Sequence, residues 1–121
     1  MASANEWTLF HNPRCSKSRD ALAYLKEKGV QPTILEYLKT PLDAAALNDL
    51  LGKLHLRPRD LLRANEDEYD ALGLGDENLS REALIEAIVQ HPILLQRPII
   101  LRGEKGVIGR PTEAIDCLLG G

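Results

Sequence analysis

The sequence predicts an α/β fold built on a four-stranded mixed sheet, and three observations carry that expectation. Trp7-Thr8-Leu9-Phe10 and Thr33-Ile34-Leu35-Glu36-Tyr37 have the length and composition of strands, and between them Ala21, Leu22 and Leu25 recur at helical spacing until Gly29. A strand, a helix and a second strand in that order imply a parallel pair joined by a right-handed crossover. Towards the other end, Arg97 to Arg102 and Lys105 to Arg110 flank Gly103-Glu104, a two-residue Gly-x loop suited to a type II′ hairpin. Between the two groups only helical patterns occur.

Each of those patterns has a local reason. Thr40-Pro41-Leu42-Asp43 reads as a helix start, with Thr40 as cap, Pro41 in the first turn and Asp43 completing a near capping box; Leu47, Leu50, Leu51 and Leu54 form the inner face. Pro58 to Leu62, Glu66 to Leu72 and Ser80 to Gln90 read as three further helical pieces, with Gly73, Gly75 and Asp76 marking a turn. Ser80 caps the last of them, Leu84, Ile85, Ile88 and Val89 face inward, and His91-Pro92 ends it. In the hairpin, closing the loop at Gly103-Glu104 sets Ile99 across from Ile108, Ile100 across from Val107 and Arg97 across from Arg110. Pro111 is placed to open the final helix, Thr112 to Leu119. The order is thus β-α-β, a helical insert, then β-β-α, which is that of a thioredoxin-like fold, with Pro98 as the candidate for the cis-proline before its third strand. One domain over residues 1–121 is expected.

Composition narrows the function classes. A formal net charge of -3 offers no general attraction to nucleic acid, so any anion binding has to come from local arginine clusters. No apolar run approaches the length of a membrane span, and Met1 to Glu6 is too short and polar for a signal peptide, which makes a cytoplasmic location the expectation. In that compartment the two cysteines, Cys15 and Cys117, are expected as thiols rather than as a disulfide.

The chemistry concentrates in Phe10-His11-Asn12-Pro13-Arg14-Cys15-Ser16-Lys17-Ser18-Arg19. It places Cys15 where a strand ends and a helix begins, where unpaired backbone N–H groups and the helix dipole favour an anion such as a thiolate. Arg14, Lys17 and Arg19 lie within four residues and push the same way, so a reactive, largely ionised Cys15 is expected rather than a buried apolar one. A dithiol site needs C-x-x-C, and Ser18 stands where the second sulfur belongs. A single-thiol site requires an outside thiol to complete a redox cycle. Like charges facing each other across a ladder are unfavourable unless something negative lies between them, so Arg97 and Arg110 form a candidate anion clamp. Cys117 falls on the outer side of the last helix with Glu113 and Asp116, away from the face carrying Ala114, Ile115, Leu118 and Leu119, and is not expected to resolve an intermediate on Cys15.

His11-Asn12-Pro13-Arg14-Cys15 with Ser18-Arg19, Leu61-Leu62-Arg63 with Asn65-Glu66, His91-Pro92-Ile93-Leu94 with Arg97-Pro98-Ile99, and Gly109-Arg110-Pro111 together resemble the ArsC-type, glutaredoxin-dependent arsenate reductases, in the short form of the YfgD-like subgroup. That resemblance implies that the cysteine matching Cys15 attacks arsenate to form a Cys-S-As(V) adduct held by arginines matching Arg63, Arg97 and Arg110. Glutathione, as co-substrate, then displaces water, arsenic is reduced to As(III), and glutaredoxin resolves the mixed disulfide. It further implies a supporting role for His11, with Asn12, Ser18 and Pro98 as lesser supporting residues, and no metal or bound cofactor. Three guanidinium groups suit a tetrahedral oxyanion, because each offers a planar fork of donors with a charge that does not titrate away. A monomer is expected. Two other readings share the scaffold: glutathione-linked reduction of another substrate, and an Spx-like transcription regulator, against which Ser18 in place of a second cysteine counts.

Overall fold

The computed structural model describes residues 6–40, 42–110 and 112–119, so the Pro41 and Pro111 positions read as helix openers lie outside the described residues. The chain divides into two compact units, one drawn from the residues up to Thr40 and from Arg97 onward, the other from the residues between them.

The first unit holds a sheet of four strands in the order β2-β1-β3-β4, the fold expected from the sequence. Strand β1 (Trp7–Phe10) pairs in parallel with β2 (Thr33–Leu35) and antiparallel with β3 (Ile99–Arg102), which in turn pairs antiparallel with β4 (Lys105–Ile108). The hairpin register is the expected one, Ile99 opposite Ile108 and Ile100 opposite Val107. Strand β2 is shorter than its composition suggested and stops at Leu35; the following residues fold into a turn in which Lys39 N and Thr40 N both donate to Glu36 O.

Helix α1 (Ser16–Glu27) crosses from β1 to β2 and buries Ala21 and Leu25, the residues whose spacing announced it. They join Leu9, Ile100, Ile115 and Leu118 in one apolar cluster, so that the sheet, α1 and the C-terminal segment share a core. That last segment begins as a 3₁₀ turn over Thr112–Ile115 and becomes helical only over Asp116–Leu119 (α5, once the intervening helices are counted), rather than forming one helix from Thr112. It buries Ile115 and Leu118 and leaves Cys117 exposed.

Among its described residues the second unit is helical, apart from one antiparallel bridge between Leu62 and Leu95. Helix α2 (Ala44–Leu54) buries Leu47, Leu50, Leu51 and Leu54, and packs against α4 (Arg81–Gln90), which buries Leu84, Ile85 and Ile88 while Val89 is half-buried. The cap of α2 is Asp43, not Thr40: the carboxylate accepts from Ala46 N at 2.8 Å, and an ionised acceptor at a helix N-terminus outcompetes a hydroxyl three residues earlier. Ser80 caps α4 as expected, accepting from Ala83 N at 3.1 Å. The two weaker helical patterns shrink to a 3₁₀ turn, Pro58–Leu61, and a five-residue helix α3, Asp67–Ala71. Pieces that short lack the length to hold regular helix without tertiary support.

Candidate active site

Topology gathers four chain segments at one end of the first unit's sheet. Strands β1 and β2 run in parallel and finish together, and Phe10 at that end sits between Leu35 and Ile99, the first residue of β3. Ile99 in turn faces Ile108, the last residue of β4. The residues that follow or precede these points, His11 to Cys15, Glu36-Tyr37, Arg97-Pro98 and Gly109-Arg110, therefore meet where an open α/β sheet customarily carries its site. The Arg97–Pro98 peptide bond is cis.

The loop from β1 to α1 is wound tightly enough to aim one sulfur. Asn12 turns it: its carbonyl oxygen accepts from Cys15 N at 2.9 Å and its Oδ1 from Arg14 N at 3.0 Å. Cys15 is the N-cap of α1, with extended backbone angles (φ -95°, ψ 123°), and its carbonyl oxygen accepts from Arg19 N at 3.0 Å to begin the helix. Beneath it Ser18 is fully buried, with its Oγ 2.7 Å from His11 Nδ1 and accepting from Asn12 N at 3.1 Å. One hydroxyl thus ties the strand end, the turn and the helix together.

Two arginines converge on the thiol. Burial pushes the Cys15 thiol up, but the Arg97 guanidinium hydrogen-bonded to it, the Ser18 and Lys17 backbone N–H groups and the Arg97 charge together outweigh burial and hold it below its ordinary value. Arg110 approaches the same sulfur, Nη2 to Sγ 3.9 Å, and its Nε donates to the carbonyl oxygen of Arg97 at 2.6 Å. Of the two, Arg97 is the main influence on the thiol. Burial also lowers the His11 pKa, partly offset by the negative charge of Glu36, which favours the neutral imidazole whose Nδ1 meets Ser18 Oγ.

The residues singled out in the sequence divide accordingly. The structure brings Cys15, Arg97 and Arg110 together, and places His11, Asn12, Ser18 and Pro98 around them in the same unit. Arg63 lies in the helical unit, where its N–H donates to Leu94 O at 2.8 Å and its guanidinium Nε pairs with Glu66 at 3.1 Å. The basic side chains nearest in sequence do not carry the thiol shift: Arg14 and Lys17 are exposed, and the Arg19 guanidinium donates to Pro13 O at 3.2 Å. A long flexible side chain next to a cap prefers solvent, whereas Arg97 is placed by the segment that leads into β3.

A model of the ArsC family matches residues 10–118, which includes every residue of this constellation. The chain belongs to the ArsC family. This ArsC-family protein is 50% identical over 113 residues to the uncharacterized protein YfgD of Escherichia coli (strain K12), with 93% of the chain and 95% of the relative covered. It is 47% identical to an arsenate reductase of Neisseria meningitidis, over 94% of the chain and 98% of the relative. Among solved structures it is similar to an arsenate reductase from Vibrio cholerae, at 38% identity and a TM-score of 0.91, covering 96% of this chain and 99% of that one.

One residue of this ArsC-family site escaped the sequence. Tyr37, read only as the end of a strand, is 1% exposed, and its hydroxyl meets the Arg97 guanidinium. The available signal was its place just past the end of a strand parallel to β1, on the side of the sheet's carboxyl ends.

Proposed function

We propose that this protein reduces arsenate to arsenite with Cys15 as nucleophile and external thiols as reductant. The observation that carries the reading is the convergence of two guanidinium groups, Arg97 and Arg110, on a thiol held below its ordinary pKa. Such a site attracts an anion and favours the ionised form of its nucleophile in one place, which is what attack on a tetrahedral oxyanion by sulfur requires. The Cys15 thiolate attacks arsenic, a sulfur–arsenic bond forms as an arsenic–oxygen bond breaks, and the departing hydroxyl takes a proton from solvent to leave as water. Two electrons are then needed to pass from As(V) to As(III). With no second cysteine at C-x-x-C spacing, they come from glutathione and glutaredoxin, whose thiols end as a disulfide. Family resemblance adds Arg63 as a third oxyanion ligand. No metal or bound cofactor has a part in this scheme.

Support for arsenate comes from relatives at about half identity that are named arsenate reductases. Among the described residues no helix is long and apolar enough to cross a membrane, and we place the reaction in the cytoplasm, where glutathione is reduced. The test is arsenate-dependent NADPH oxidation in a coupled assay containing glutathione, glutathione reductase and glutaredoxin. A rate above that of the arsenate-free control, lost in Cys15→Ser, is expected. No arsenate-dependent rate would turn the reading to glutathione-linked reduction of another substrate.

A further inference from the structure

Tyr37 and Arg97 flank different strands and meet at the cysteine end of the sheet. Leu35 and Ile99 flank Phe10 on its two sides, so Tyr37 stands two residues beyond the end of β2 and Arg97 two residues before β3 begins. The Tyr37 hydroxyl and the Nε and Nη1 atoms of Arg97 are all closed off from solvent. A guanidinium withdrawn from water needs acceptors facing its N–H groups, and the tyrosine oxygen and the Cys15 sulfur both face this one. A buried phenol ring has few torsions to vary, which makes its oxygen a fixed point. Because the guanidinium is planar, an anchor on one of its edges sets the direction of the N–H groups it presents elsewhere. Were the ring mere filling for the core, phenylalanine would serve as well.

We infer that Tyr37 is a positioning residue: through Arg97, and without touching the reacting atoms, its hydroxyl sets both the reactivity of the Cys15 sulfur and the hold of the site on an oxyanion. The second half rests on the arsenate reading above; the first stands without it. Tyr37→Phe removes the oxygen and keeps the ring. In the full-length protein, iodoacetamide alkylation followed by peptide mass spectrometry over a pH series reads Cys15 separately from Cys117. The expected result is a Cys15 midpoint moved upward by roughly half a pH unit. Alongside it, the KM for arsenate rises about threefold with a smaller fall in kcat. Introduced into Arg97→Ala, the same substitution is expected to change neither quantity. An unchanged midpoint in Tyr37→Phe overturns the proposal, as does an equal displacement in the absence of Arg97. Should the wild-type protein fail to turn over arsenate, the alkylation series still decides the role of Tyr37, so the two failures are told apart.

Discussion

The side chain of Arg110 is fastened to the main chain of Arg97, Nε to carbonyl oxygen at 2.6 Å, and the same guanidinium reaches the Cys15 sulfur with Nη2 at 3.9 Å. The two arginines therefore hold one arrangement despite their like charges, beside a sulfur whose pKa is held below its ordinary value. That repulsion is tolerable only in the presence of a negative partner.

Replacing Arg110 with lysine tests the fork. A single ammonium cannot both hold the Arg97 carbonyl and reach the sulfur, although the charge is kept. Arg110→Lys is expected to raise the KM for arsenate about tenfold with a smaller effect on kcat, read in the coupled assay. Because Arg110 is exposed, its unfolding free energy is expected to change by less than about 1 kcal/mol. A KM equal to wild type would count against the clamp.

The two cysteines are expected to behave oppositely. Cys15→Ser abolishes turnover, since a hydroxyl is not ionised at neutral pH, whereas Cys117→Ser, altered on an exposed position, keeps most of it. Alkylation of Cys15 is expected to have its midpoint below 9.0, the ordinary value of the thiol. The linkage has a definite sign: a depressed folded pKa contributes stability that is present above the unfolded value and lost as pH falls through the folded one. The stability difference between wild type and Cys15→Ser should therefore be larger near pH 9.0 than in the range below the measured midpoint.

Stability should also weaken on mild acidification through His11. Its unfolded form titrates near 6.5 and its buried form lower, so between those values the unfolded chain binds more protons. Denaturant melts are expected to show stability falling as pH drops below 6.5 and levelling once pH passes below the folded value. Ser18→Ala, which leaves Asn12 N–H and the His11 ring without their buried partner, is expected to cost about 1–3 kcal/mol at pH 7. A pH profile unaltered in His11→Gln would sink the assignment to this residue.

Gly109 keeps Arg110 close to Pro98 by having no side chain. Its N–H donates to Pro98 O at 2.9 Å, and a Cβ there would lie 2.8 Å from Ile100 Cδ1 and 3.0 Å from Pro98 Cγ. Both neighbours are buried in the core, so neither can yield freely. Gly109→Ala is expected to destabilise by about 1–3 kcal/mol in urea unfolding and to lower kcat/KM, because the arginine beside it moves.

How much of this was legible in the letters depended on how far apart the partners lie. Hairpin pairing was readable because a two-residue loop leaves one register that puts apolar residues face to face, and Ile99 with Ile108 follows from it. The place of Cys15 was readable too, since a strand ending at Phe10 and a helix beginning after it leave the cysteine at the cap. Which cation lowers its pKa is not readable in the same way, because the exposed side chains next in the chain are screened by solvent while Arg97 is held against the sulfur from the segment that leads into β3.

By itself, then, the sequence determined the order of elements and a cysteine at a helix start, which depend on periodicity and short-range backbone geometry, and its motif stretches carried the resemblance to the family. Only the tertiary structure decided which cation serves that sulfur, that Arg110 grips Arg97 by its carbonyl, and that Tyr37 stands behind them both. Those relations arise where strands remote in the chain end side by side, and the chain's own order does not record which side chains will be pointed at one another there.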